Sequence, residues 1–146
     1  MKKKSERLKI VLDLAARKEK AALEVLSRKK RYRDEQLAQL NNLKHYHSQY
    51  LEDMKRNVNS VHNAISLQAN LQFLSQIDQA ILHQEGVLSI AEREYALALK
   101  HWSQFHQKRK GMGDLIDSYK NQEDQQADKK EQQQIESDLL SRHFRG

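Results

Sequence analysis

Cysteine and proline are absent from the 146 residues, and glycine occurs only 4 times. Without cysteine the chain can form no disulfide, thiolate nucleophile or sulfur-ligated metal site. Without proline, and nearly without glycine, it lacks the turn punctuation of sandwiches and barrels. Aromatic residues make up 6% and hydrophobic residues 38%, against roughly 45–50% apolar in an ordinary domain. That is too little to wrap a thick core. No apolar run approaches the roughly 18 residues that suggest a membrane span. The basic start Met1-Lys2-Lys3-Lys4-Ser5 leads into Leu8-Lys9-Ile10-Val11-Leu12-Asp13, where charge interrupts too early for a signal peptide. A cytosolic chain is expected.

What is abundant is Ala, Glu, Lys, Leu, Arg and Gln, the composition of long helices. Charge is unevenly spread. Residues 1–34 carry 13 basic and 5 acidic side chains, and residues 67–146 carry 10 basic and 12 acidic. The net charge of +6 is therefore an N-terminal property, densest at Arg28-Lys29-Lys30-Arg31-Tyr32-Arg33. Such a run suits nucleic acid phosphates, an anionic membrane surface, an acidic protein, or simply the solvated side of a helix. A basic-region zipper needs leucines directly downstream, whereas Gln36 and Gln39 follow here, and no specific nucleic-acid partner is expected.

Helix 1 is expected over about 5–56, with Ser5 as its N-cap. With Leu8 taken as an a position, the a/d seam reads Leu8, Val11, Ala15, Lys18, Ala22, Val25, Lys29, Tyr32, Gln36, Gln39, Leu43, Tyr46, Tyr50 and Asp53, with Leu12, Leu26, Leu40 and Met54 widening it. The turn-forming cluster Asn57–Asn63 predicts a reversal over about 57–66, with Ser66 capping the next helix. Helix 2, about 67–134, has the stronger seam, running Leu67, Asn70, Leu74, Ile77 and onward at heptad spacing to Ile116 and Tyr119. Only Asn70, Gln84 and Arg109 interrupt its apolar character.

A short connection makes the two helices antiparallel neighbours, so residue i faces roughly residue 123 − i. The fold class is all-α: one long antiparallel coiled-coil hairpin, spanning 1–146 as a single unit, with helix 2 extending beyond helix 1. In the C-terminal tail, about 135–146, Ile135, Leu139, Leu140 and Phe144 lie roughly on one face. The tail reads either as a disordered end or as a docking segment for a partner's groove.

Chemistry finds little support. No two of the 7 histidines stand at i, i+4, there is no H-E-x-x-H, and Gly111-Met112-Gly113 lacks the context of a phosphate loop. A helical hairpin also offers no closed pocket in which a carboxylate could be tuned. No enzyme, cofactor or metal is expected. Tyr46, Tyr50, Phe73, Ile77 and Ala80 converge in the pairing, with Tyr50 opposite Phe73. They serve either seam packing or a partly exposed interface.

Three local series carry a family resemblance: Gln39-x3-Leu43-x2-Tyr46-x3-Tyr50, Gln72-Phe73-Leu74-x2-Ile77-x2-Ala80-Ile81, and Leu97-Ala98-Leu99-Lys100-x-Trp102. With the unequal hairpin, they make the chain resemble the FliJ family of flagellar type III export proteins over nearly its whole length. The family is similar in shape to the central stalk of rotary ATPases. The resemblance implies a noncatalytic coupling protein at the cytoplasmic face of the inner membrane, held there through its partners. The terminal end of the hairpin would insert into the hexameric export ATPase ring, and a patch near the middle and reversal would dock on the membrane export gate and let it use proton motive force. Export chaperones are a further implied partner.

Carried over by motif, the gate contacts would be Gln39, Leu43, Tyr46, Tyr50, Phe73, Ile77, Ala80 and Gln84. Arg28, Lys29, Lys30, Arg31 and Arg33 would face an acidic ring. The tail departs from the family pattern, since Asp128-Lys129-Lys130-Glu131 runs into three glutamines. Two alternatives stand beside this reading: the stalk of a virulence type III secretion system, and a general coiled-coil scaffold or nucleic-acid-binding hairpin using residues 28–33.

Overall fold

In the computed structural model, which describes residues 3–56 and 64–145, every described residue except Lys3 is helical. Helix α1 spans Lys4–Arg56 and α2 spans Ala64–Arg145, and the two pack against each other as an antiparallel hairpin. The reversal expected at 57–66 lies mostly outside the described residues. Ser66 is inside α2 rather than capping it, since the helix already begins at Ala64. At the other end α2 runs past 134 to Arg145 and takes in the segment 135–145. Gln, Glu and Lys are good helix formers, and Gln134 Nε2 donates to Asp138 Oδ1 one turn on at 3.4 Å.

Contacts divide the chain into two compact units, Ala22–Trp102 and the pair Met1–Ala21 with Ser103–Gly146. In the first, the core is Leu40, Leu74, Ile77, Leu88, Ala91 and Ala98, and in the second it is Ala15 and Ile116. Within each unit the pairs follow the expected register: Lys29 meets Glu94 and Tyr50 meets Phe73 in one, Lys4 meets Tyr119 in the other.

The α2 seam is packed as expected at every position but Leu67, which is exposed. On α1 only half of the expected seam is right. Leu8, Ala15, Ala22, Lys29, Gln36, Leu43 and Tyr50 are buried or half-buried, whereas Val11, Lys18, Val25, Tyr32, Gln39, Tyr46 and Asp53 are exposed. Their places are taken by Ser5, Leu12, Glu19, Leu26, Arg33, Leu40, His47 and Met54. Leu8 is thus a d position, preceded by an a residue three earlier, and not an a position itself. The true a row alternates polar and apolar, which makes the neighbouring valines and tyrosines look like the better seam.

The polar a residues are each engaged across the hairpin. In the terminal unit, Ser5 donates its hydroxyl to Glu123 Oε2 at 2.7 Å and its backbone N–H to Oε1 at 3.3 Å. Ser5 is therefore not the N-cap of α1. The Lys3 carbonyl begins the helix, accepting from the N–H groups of Glu6 and Arg7 at 3.1 and 3.2 Å. In the same unit Glu19 takes the Arg109 guanidinium at Oε2, and His106 Nδ1 lies 2.8 Å from Oε1. In the other unit Arg33 lies over the Tyr95 ring at 4.8 Å, and His47 Nε2 pairs with Asp78 at 2.9 Å.

Candidate functional site: an aromatic flank and a basic run

The expected gate residues fall into two groups. Ile77 and Gln84 are 5% and 8% exposed and face α1. Gln84 Nε2 donates to the Gln36 side chain at 2.8 Å and to the Gln36 carbonyl at 3.0 Å. This buried amide pair satisfies two interruptions in the apolar seams with each other. Leu43, Tyr50 and Ala80 are half-buried beside them, and the Tyr50 hydroxyl donates to Asn70 Oδ1 at 2.7 Å. Asn70, another interruption, is thereby accounted for.

Gln39, Tyr46 and Phe73 form the exposed group. Tyr46 is 48% and Phe73 36% exposed. Their rings meet edge to face, with centroids 6.2 Å apart and planes at 85°. Phe73 also lies 4.8 Å from the Tyr50 ring at 56°. Tyr50, itself tied to Asn70, thus holds Phe73 from beneath, and Tyr46 covers one edge. Fixed aromatic rings with one face open are the kind of surface that anchors protein interfaces, because little side-chain entropy remains to be lost. The same two residues lie at matching positions on the flanks of the seam, Tyr46 one before His47 and Phe73 one before Leu74. The α1 phase expected from the sequence would have placed Tyr46 in the seam.

The basic run divides as well. Lys29 Nζ pairs with Glu94 at 3.1 Å, and Arg33 Nε with Asp34 at 2.7 Å while its guanidinium covers Tyr95. These two belong to the packing of their own unit. Arg28, Lys30 and Arg31 are exposed. Among the tail residues, Ile135, Leu139, Leu140 and Phe144 are all exposed. Leu140 and Phe144 continue the heptad phase of the α2 seam, whereas Ile135 and Leu139 lie to one side of it.

Sequence reasoning missed Glu19, Glu123 and their partners. The signal available was the recurrence of Ser5, Glu19, Arg33 and His47 at intervals of two heptads. Both carboxyls are held below the ordinary glutamate value of 4.5. For Glu19 the main cause is its hydrogen bond to His106, with Arg109 adding to it against the opposing effect of burial. For Glu123 it is the Ser5 hydroxyl, helped by the Ser5 N–H and the nearby Lys3 and Lys120. Among the described residues, no group of three or more His, Asp or Glu side chains is placed to hold a metal ion. Among the described residues, no helix is long and apolar enough to cross a membrane.

The family model of the flagellar FliJ protein matches residues 3–142. No curated protein and no solved structure matches the chain. With the match covering nearly all of its length, the chain belongs to the flagellar FliJ family, whose members are components of the flagellar export apparatus.

Proposed function

We propose that the protein is a noncatalytic stalk of the flagellar export apparatus, coupling the export ATPase ring to the export gate at the cytoplasmic face of the inner membrane. The observation that carries the gate contact is the exposed Tyr46–Phe73 pair, held rigid by Tyr50 and Asn70. It lies inside the family match and within the motif series that resembles the family's gate-binding residues. Gln39, Tyr46 and Phe73 make the direct contact in this reading. Ile77 and Gln84 support it from the seam.

The exposed Arg28, Lys30 and Arg31 suit an acidic wall of the ATPase ring, where unscreened opposite charge guides association. Lys29 and Arg33 fix the backbone beneath them. Polar residues in the seam also suit a coupling element. Each pair gives up apolar burial, but a one-heptad slip would leave Gln36, Gln84, Glu19 and Arg109 without partners, so register is specified. Export chaperones are further partners in this reading.

Pull-down of a cognate export ATPase by the full chain tests the stalk reading. Association at low salt that weakens in Arg28→Glu/Arg31→Glu is expected. No association at low salt would overturn it.

A further inference from the structure

In the terminal unit an open groove runs along one flank of the helix pair. Its floor is Ala15, Phe105 and Met112, and its walls are Val11, Leu14, Lys18 and Lys108. Val11 is 42% and Leu14 52% exposed, and Leu115, one heptad beyond Lys108 on the same flank, is 46% exposed. Apolar side chains lying in line on both helices leave a surface that an i, i+3, i+4, i+7 row of a third helix would cover.

Charge says what kind of helix. The outward positions of this flank on α1, from Lys4 to Ala21, include Lys4, Arg7 and Lys18, and those on the stretch of α2 beside it, from Gln104 to Gln122, include Lys108. No Asp or Glu occupies any of them. Along residues 4–21 and 103–123 the acidic residues stand elsewhere: Glu6 and Asp13 on the far side of α1, Glu19 and Glu123 in the seam, Asp114 and Asp117 around α2. Among the described residues neither Lys18 nor Lys108 forms an ion pair. The flank is therefore apolar along its middle and uniformly cationic at its edges.

Gly111 adds an independent geometric point. It occupies an outward position of the same flank, one turn from Lys108. A side chain there would meet nothing within 4 Å, so packing inside the protein does not call for glycine. Glycine in a helix interior is destabilising relative to alanine. A missing side chain on an open wall lowers that wall and admits the backbone of an incoming helix.

We infer that this groove is a docking site for an acidic amphipathic helix of another protein, aliphatic along one stripe and edged by Asp and Glu. The site is separate from the aromatic flank and stands whether or not the gate and ring contacts do.

The test uses the full chain and a fluorescein-labelled 21-residue designed helix with Leu at a and d and Glu at e and g, compared with the same peptide carrying Lys in place of Glu. At near-physiological salt the Glu peptide is expected to bind at least tenfold more tightly by anisotropy. Lys18→Glu/Lys108→Glu is expected to erase or invert that preference, and Gly111→Gln to weaken binding at unchanged helicity. Arg28→Glu/Arg31→Glu, elsewhere on the chain, is expected to leave it unaltered. Should the charge-reversed double variant fail to fold, Lys108→Gln alone decides, with several-fold weaker binding expected. Equal affinity for both peptides, or sensitivity to Arg28 and Arg31 but not to Lys18 and Lys108, would overturn the proposal. So would sedimentation as a dimer that Leu14→Glu dissolves, because a second copy would then fill the groove.

Discussion

Ser5 and Glu123, 118 positions apart, are joined by two hydrogen bonds, one from the hydroxyl and one from the backbone N–H of Ser5. The carboxylate thereby satisfies one of the free N–H groups in the first turn of α1 and places negative charge at the positive end of that helix. A side chain of the same helix usually does this. Glu123→Gln keeps the shape but loses the charge, and Ser5→Ala loses the stronger bond. Both are expected to accelerate hydrogen exchange at the first amides of α1 several-fold, with amides near Ala15 unchanged. Equal acceleration throughout the helix would show that the pair holds more than the end.

Acid should act on the terminal unit through Glu19 and Glu123. Both have folded-state values below the ordinary 4.5. Their contribution to stability is therefore fully present above about 4.5, the unfolded value, and is lost as pH falls through the lower folded values. Thermal melts followed by circular dichroism from pH 7 to pH 3 are expected to show a falling midpoint below about pH 4.5. In Glu19→Gln/Glu123→Gln the midpoint should start lower at pH 7 and fall less steeply. An unchanged acid limb in the double variant would assign the effect to other carboxylates.

The buried amide pair Gln36–Gln84 should behave asymmetrically. Gln84→Leu leaves the Gln36 amide buried without its partner and is expected to cost about 1–3 kcal/mol. The double variant Gln36→Leu/Gln84→Leu replaces both with apolar groups and is expected to recover most of that loss or exceed the parent. What it should lose is register, read as added heterogeneity in pair distances between spin labels on the two helices. A double-mutant cycle in urea measures the coupling.

The hairpin, its antiparallel register and almost all of the α2 seam were legible in the sequence, because thirteen apolar residues at strict heptad spacing leave one helix phase open. The α1 phase was not. Its true a row holds Ser5, Glu19, Arg33 and His47, whose cost in the seam is offset by partners on α2 that periodicity does not reveal. For the same reason Tyr46 was legible as an important residue but not as an exposed one. Leu40 and Gln39 test the corrected phase. Leu40→Ala removes a side chain only 5% exposed and is expected to cost about 2–4 kcal/mol in urea unfolding. Gln39→Ala, on the exposed flank, should stay within about 0.5 kcal/mol.

The gate proposal separates by residue in the same way. Tyr46 and Phe73 are exposed, so Tyr46→Ala and Phe73→Ala should each weaken binding to the purified cytoplasmic portion of a cognate gate protein, by roughly tenfold if they act as anchoring residues. Helicity and melting temperature should change little in Tyr46→Ala. Ile77→Ala should do the reverse, losing about 2–4 kcal/mol of stability while the folded fraction binds the gate nearly as before. Tyr50→Ala lies between, since it frees Asn70 and removes the support beneath Phe73, and both readouts should fall. If Ile77→Ala abolishes binding at a temperature where it remains fully folded, the seam itself opens in the complex, and the exposed aromatic pair is not the contact.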